Sequence, residues 1–476
     1  MACIGFAQSA AKLGKLQHGS LSRKQALNLR LASIRCEAPQ SNGNKPSSHA
    51  ASTSERSRSA NWDRKSDIYV LRSDGYSCNR ETVTAGGNLE FSHPSSQQHL
   101  LVWKARPKRV LVLKKLGDEL LEEYLAMVQH LGADQNLSVL VEPAQYAELK
   151  EQGVIEKMPY IDTWGDDDDA SELHSFVDFV VCLGGDGLVL HATHLFGRCI
   201  PPIIAFRLGS LGFLTPHEYE VHMEHLDAVI NGSDELTTCR MTSSMDESPL
   251  MGVYITLRMR LQCEIHRNGQ PLPGACHHVL NEVVLSRGSL PYLSKIEVYE
   301  RDHLITKVQA DGVMLSTPTG STAYSVSAGG SMVHPNVHSM LFTPICPHSL
   351  SFRPIILPDY AQLQLRIAGD ARSGAVATFD GKNMKELLPG DSLHVRMSPF
   401  PVPTINFRDQ TLDWFSSIER CFMWNERTEQ KEFQMRSGKS AAKVLARLEK
   451  EREDSKAAKR KNTKAARAAK TASSVA

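Results

Sequence analysis

No run of about eighteen apolar residues occurs in the 476-residue sequence, so no segment is long enough to cross a bilayer as a helix. An excess of one charge is missing too. The 54 Lys and Arg residues face 53 Asp and Glu, and a globally basic nucleic-acid binder is not indicated. The ten cysteines contain no Cys-x-x-Cys pair, which reads as a reduced compartment without a disulfide framework or structural zinc site. Cys276, His277 and His278 are consecutive, but neighbours on a strand face opposite ways, so a metal site there is not expected. A Gly-x-x-x-x-Gly-Lys-Ser/Thr element is absent, which excludes a P-loop enzyme. No Gly-x-Gly-x-x-Gly follows a strand either, which argues against an ordinary dehydrogenase. No internal repeat is visible.

Balanced charge overall hides an asymmetry at the ends. Between Met1 and Cys36 there are six Lys or Arg residues and no Asp or Glu, amid Ala, Ser, Leu and Gln. That composition resembles an organellar import signal, closer to a chloroplast than a mitochondrial one, and a cytoplasmic protein with a disordered basic N-terminus is the alternative. The polar, Ser- and Asn-rich stretch up to residue 65 reads as a linker. Residues 429–476 alternate Lys, Arg, Ala and Glu around a thin stripe of Val444, Leu445 and Leu448. They read as an exposed, partly disordered tail, with a solvated helix, a partner helix or a calmodulin-type target as the other readings.

What lies between splits into two periodicities. Residues 66–235 alternate short apolar strands with amphipathic helices: strands at 109–114, 137–141, 177–183 and 202–206, helices at 118–131 and 144–152. That order predicts an open, Rossmann-like α/β sheet, with ligands at the carboxyl ends of its strands. Asp166 to Asp169 read as a solvated loop. From Val253 apolar residues alternate with polar ones through Ile265, predicting one long strand with a wet face. Asn268-Gly269 is a turn signal, and 279–286 and 293–299 read as further strands. Residues 253–427 therefore predict a mostly antiparallel β-sandwich domain interrupted by one helix.

Three motifs carry chemistry. The strand at 177–183 empties into Gly184-Gly185-Asp186-Gly187, where glycines let backbone approach a phosphate and a following helix aims its amides at the same anion. Asp186 can accept a hydroxyl proton or help hold a metal, although a plain strand-to-helix turn explains the motif alone. The second motif runs from Asp311 through Ser316-Thr-Pro-Thr319-Gly320-Ser-Thr322-Ala323-Tyr324-Ser325-Val326-Ser327 to Gly330. Its hydroxyls cluster at a helix start, where capping explains two of them and an anion or ribose could be received. The third is Asn281-Glu282 within an apolar strand. Such a pair marks an edge or a bulge, or a carboxylate and amide suited to vicinal ribose hydroxyls.

At these residues the chain resembles the NAD kinase family. Gly-Gly-Asp-Gly at 184–187, Asn281-Glu282 and the 311–330 block come in the family's order. Ile345 to Pro354 and Phe379-Asp-Gly-Lys382 resemble its eukaryotic branch, and Asp74 to Asn79 with Phe91 to Gln98 its plant chloroplast form. The resemblance covers roughly residues 72–427. It implies ATP-dependent phosphorylation of the 2′-hydroxyl of the adenosine ribose of NAD, with Asp186 as base and Mg²⁺ accompanying ATP. It further implies that Asp186, Gly187, Asn281, Glu282, Asp311 and Thr322 to Ser327 line the dinucleotide site. Lys382 would contribute from the last loop, and Tyr292 and Gln309 fall at positions that vary. Gly184, Gly185, Gly187, Thr319 and Gly320 would form the phosphate-facing loops, with no protein metal ligand assigned. Ala310 departs from the family, which often has Gly there, and residues 237–251 look like an extra loop. A homo-oligomer is implied; calmodulin regulation, known in plant relatives, is compelled by no segment. The rivals are a lipid or sugar-phosphate kinase sharing the glycine-aspartate loop, and a dinucleotide-binding regulator without catalysis.

Overall fold

Apolar residues on alternate positions of the strand Phe179–Gly184 pack to both sides of a sheet, and the two sides define two cores. In this computed structural model, residues 62–73, 78–84, 87, 89–90, 98–115, 117–165, 170–209, 212–232, 252–406 and 410–425 are described, with scattered positions between 446 and 456. The import-like leader, most of the linker, Asp166 to Asp169, residues 237–251, most of the 74–79 and 91–98 motifs and nearly all of the tail lie outside the described residues.

One face of the sheet carries Val110, Val112, Val181, Leu183 and Phe206 against Tyr124, Met127 and Val128 of the helix Leu121–Gln129. The other carries Leu111, Leu113, Val180, Cys182 and Ala205 against Val189, Ala192 and Phe196 of the helix Asp186–Phe196. Strands buried on both faces have continuous apolar runs, as the sequence of this half shows. Parallel strands run in the order Val402–Ile405, Ile203–Arg207, Phe179–Gly184, Arg109–Lys114, Ser138–Leu140, Ile161–Asp162. Chain order moves outward from Arg109–Lys114 and then returns to its other side at Phe179–Gly184. The switch point therefore lies between these two strands, where an open α/β sheet offers a ligand crevice at its carboxyl ends.

The expected single strand from Val253 to Ile265 is instead two. Val253–Arg258 joins the first sheet, antiparallel between Gln98–Trp103 and Val402–Ile405, while Leu261–Arg267 belongs to the second. Arg260, completely buried, explains the break: its guanidinium donates to Phe400 O at 2.7 Å, Gly197 O at 2.5 Å and Arg198 O at 2.7 Å. A cation on the carbonyls at the carboxyl end of the helix Asp186–Phe196 suits the sign of its dipole.

All pairings in the second sheet are antiparallel, and its inner face holds Cys263, Ile265, Val283, Leu285, Ile296, Val313, Leu315, Phe379 and Val395. Two curled sheets with this core give the expected α/β plus β-sandwich-like architecture. The interrupting helix is short, a 3-10 turn Thr319–Thr322 followed by the single α-turn Tyr324–Ser327. Cys276, His277 and His278 have separate surroundings. Cys276 is exposed, His277 stacks on Phe379 with centroids 4.1 Å apart, and His278 Nδ1 lies 2.9 Å from Ser398 Oγ.

Candidate active site

Strand Phe179–Gly184 ends at the switch point, and Gly185 caps the helix that starts at Asp186. Beside it, strand Arg109–Lys114 ends in a buried lysine whose Nζ donates to Gly117 O at 2.7 Å. Both oxygens of Asp186 are fixed. Phe213 N–H donates to Oδ2 and Leu214 N–H to Oδ1, each at 2.9 Å. These amides come from the run Leu208-Gly-Ser-Leu-Gly-Phe-Leu214, visible in the sequence only as a strand end. A Cβ on Gly212 would lie 2.0 Å from Asp186 Oδ1, so only glycine admits the carboxylate. Gly187 is exposed, and among the described residues outside its own turn nothing would lie within 4 Å of a Cβ there.

On the second sheet, strand Gln270–Val279 stops, Leu280 and Asn281 leave the ladder, and Glu282–Ser286 resumes it. The Asn-Glu pair thus does mark an irregularity. Asp380 holds it in place: Oδ2 accepts from Leu280 N–H at 2.8 Å, and Oδ1 from Asn281 N–H at 2.8 Å and Glu282 N–H at 3.2 Å. Burial pushes the Asp380 carboxyl up, while the three amides act to lower it. Glu282 is 9% exposed, its buried Oε2 has no hydrogen-bond partner among the described residues, and burial followed by the Asp380 charge pushes its carboxyl to about 7. An unpartnered buried carboxyl is costly unless something donates to it, as ribose hydroxyls can. Leu280 packs in the same core as Leu214, Val189 and Ala192, which seats this segment against the helix headed by Asp186.

The hydroxyl loop is stitched to the same place. Thr317 N–H donates to Asn281 O at 2.9 Å, Thr317 Oγ1 to Leu280 O at 2.5 Å, and Gly320 N–H to Thr317 Oγ1 at 3.0 Å. A Cβ on Gly320 would lie 2.1 Å from Asn281 O. Within the run, Thr322 Oγ1 donates to Thr319 O, Ala323 N–H donates to Gly320 O, and buried Ser325 bonds to Thr343. Val326 is half-buried, and Tyr324 and Ser327 are exposed. Lys382 is exposed and sits opposite Phe379, directly after the Asp380-Gly381 turn.

Asp311 lies elsewhere. Its carboxylate pairs with Arg287 at 2.7 Å, and the register places Glu282 opposite Ser316, five residues along the strand. At about 3.4 Å per residue that is roughly 17 Å within one chain.

Three contributors were not singled out from the sequence. Asp380 was visible only as part of a motif. Arg258 bonds to Thr404 and Thr319. The helix Gln410–Phe422 meets these residues, with the Phe422 and Phe213 rings tilted at 44° and 5.3 Å apart and Trp414 edge-on to His334 at 5.0 Å. Among the described residues no group of three or more His, Cys, Asp or Glu could hold a metal ion. The site offers one anchored carboxylate, one buried carboxyl that lacks a donor, and a band of hydroxyls and amides between them.

Comparison with known proteins accords with this division. Residues 110–234 match the model of the ATP-NAD kinase N-terminal domain and residues 280–407 that of the ATP-NAD kinase C-terminal domain. Over 371 residues the chain is 55% identical to the probable NAD kinase 2, chloroplastic, of Oryza sativa subsp. japonica and 54% identical to NAD kinase 2, chloroplastic, of Arabidopsis thaliana. These alignments cover 77% of this chain but only 36% and 35% of those relatives, so the chain spans about a third of their length. An uncharacterized kinase of Schizosaccharomyces pombe is 38% identical over 336 residues, 69% of this chain and 82% of the relative. The crystal structure of yeast NADH kinase complexed with NADH superposes with a TM-score of 0.60 at 29% identity, covering 72% of this chain and 96% of that one. Two matched domains, which together cover more than half of the chain, and this relative matched over most of its length establish that the chain belongs to the NAD kinase family.

Proposed function

We propose that this chain transfers the γ-phosphoryl group of ATP to the 2′-hydroxyl of the adenosine ribose of NAD, giving NADP and ADP. The observation that carries this reading is Asp186, a carboxylate fixed by two amides at the sheet's switch point beside the exposed Gly187. The ribose oxygen attacks the γ-phosphorus, its proton passes to Asp186, and the bond from that phosphorus to the ADP oxygen breaks. Each Asp186 oxygen retains a lone pair beyond its amide bond, so it can still receive that proton. Glu282, with its unpartnered Oε2, and Asn281 take the ribose hydroxyls, Thr322 to Ser327 line the dinucleotide, and Thr319 and Gly320 face the ATP phosphates. A ribose hydroxyl is a weak nucleophile, so positioning contributes most of the acceleration.

Mg²⁺ belongs to this reading as the partner of ATP, neutralising charge on the phosphates when bound. The Gly184 to Gly187 turn with Thr319 and Gly320 would receive the Mg·ATP phosphates, and no protein ligand to the ion is assigned. The plastid is the compartment assigned, supported by the chloroplastic names of the rice and Arabidopsis relatives. A homo-oligomer is assigned too, and exposed Leu350 and Tyr360, at 89% and 68%, support it as apolar surface that another copy would cover.

The test is a coupled NADP assay on purified protein with ATP, Mg²⁺ and NAD or NADH. NADP or NADPH formation is expected, with diacylglycerol and fructose 6-phosphate left unphosphorylated. Phosphorylation of either rival acceptor, or NAD binding without turnover, would overturn the reading.

A further inference from the structure

Arg258 and Arg260 sit two residues apart, yet their surroundings differ. Arg260 is satisfied by three carbonyl oxygens. Among the described residues Arg258 has only hydroxyl acceptors: Nε donates to Thr404 Oγ1 at 3.0 Å, and a terminal N–H reaches Thr319 Oγ1 at 3.5 Å. Burial pulls its guanidinium down to about 10, against the opposing charges of Asp186 and Asp413. A half-buried arginine with no carboxylate at ion-pair distance among the described residues is costly unless its charge serves a neighbour.

The two threonines are not equivalent. Thr404 passes its own proton to Thr256 O at 3.4 Å, so its hydroxyl is committed on both sides to the first sheet. Thr319 Oγ1 accepts from Arg258, while the loop around it is tied down by Thr322 on its carbonyl and by Thr317 on Gly320. A hydroxyl that accepts from a cation directs its O–H away from that cation and becomes a stronger donor. Thr404 anchors Arg258, and Arg258 aims Thr319.

We propose that Arg258 is a positioning residue for the phosphate donor, orienting and polarising Thr319 so that its hydroxyl donates to a phosphate oxygen of ATP, and holding the hydroxyl loop beside the Asp186 turn. The inference rests on the kinase reading above. It assigns Arg258 to the donor and not to NAD, because its hydrogen bonds run to Thr404 and Thr319, Asp186 acts on it only through charge, and it makes no bond to Asn281 or Glu282.

The test is a double-mutant cycle of Arg258→Gln and Thr319→Val, read by calorimetric affinity for Mg·ATP and for NAD and by NADP kinetics. Expected are a loss of Mg·ATP affinity of fivefold or more in Arg258→Gln, NAD affinity within twofold, and a kcat at least about tenfold lower. In the Thr319→Val background the same change should cost less than about twofold, since its effect passes through the missing hydroxyl. Arg258→Lys, which keeps the charge but not the fork, should recover part of the loss. Independent, multiplying effects of the two substitutions, or unchanged Mg·ATP affinity in Arg258→Gln, would overturn the inference. Should Arg258→Gln fail to melt cooperatively, Thr404→Val removes the Nε anchor and is read in the same cycle with the same expectations. A wild-type chain that binds Mg·ATP but makes no NADP would defeat the function proposed above, while the binding cycle would still decide Arg258.

Discussion

Gly212 and Asp186 make a contact that excludes every other residue type: a Cβ at 212 would lie 2.0 Å from Oδ1 and 2.5 Å from the carboxylate carbon. The carboxylate can accept the Phe213 and Leu214 amides only because the loop passes this close. Gly212→Ala should therefore displace Asp186 while leaving both cores intact. A kcat for NADP formation at least about tenfold lower, with a melting temperature within a few degrees of the parent, is expected, because small misplacements near the reacting atoms are expensive. An unchanged kcat would show that the position of Asp186 does not matter.

Asp380 organises the Asn281-Glu282 segment in the same manner. Asn in its place offers one carbonyl oxygen where three amides converge and turns an NH2 toward at least one of them. Asp380→Asn should cost about 1–3 kcal/mol in stability, the range for stranding a buried polar group. It should also raise KM for NAD more than it lowers kcat. Thermal melts and steady-state kinetics on the same preparation check both, and an unaltered KM would separate Asp380 from substrate binding.

The pH dependence follows from Glu282. Its folded carboxyl is raised from 4.5 to about 7 by burial and then by Asp380, so the folded chain holds a proton that the unfolded chain has lost across that window. Stability from this group is present below 4.5 and declines as pH rises through 7, by up to about 3 kcal/mol. Glu282→Gln should be the more stable protein at pH 8, with the difference vanishing near pH 4.5. NAD binding should run the other way. The wild-type KM falls as pH rises from 6 to 8 and the carboxylate becomes the better acceptor, while Glu282→Gln shows a flat and higher KM. Paired melts and KM values over this range test the sign, and parallel pH profiles for the two proteins would refute it.

Much of this site was legible in the sequence because its chemistry is local. Gly184 to Gly187 reads as a turn from adjacent residues, and the helix that follows starts at Asp186. The 311–330 block announces its hydroxyls, although only a few of them face outward, with Ser325 consumed by Thr343. What escaped reading depends on partners far along the chain. Arg258 lies 61 positions from Thr319 and 146 from Thr404, and Asp380 is 100 positions from Leu280. Alternation from Val253 to Ile265 predicted one strand because period two records which face is buried and not which sheet supplies the partner. The buried fork of Arg260 decides that, through carbonyls contributed by residues 197, 198 and 400. Asp311 looked contiguous with the hydroxyl run, but a strand carries it about five residues away, to Arg287.

The most direct measurement is NADP formation by Asp186→Asn, alongside its NAD affinity and melting curve. Asn leaves one of the Phe213 and Leu214 amides facing an NH2, so a stability loss of about 1–3 kcal/mol is expected in a protein that still folds. The account predicts a kcat at least about a hundredfold below wild type with NAD affinity within a few-fold, as for a lost base. A folded Asp186→Asn protein that turns over at close to the wild-type rate would contradict it.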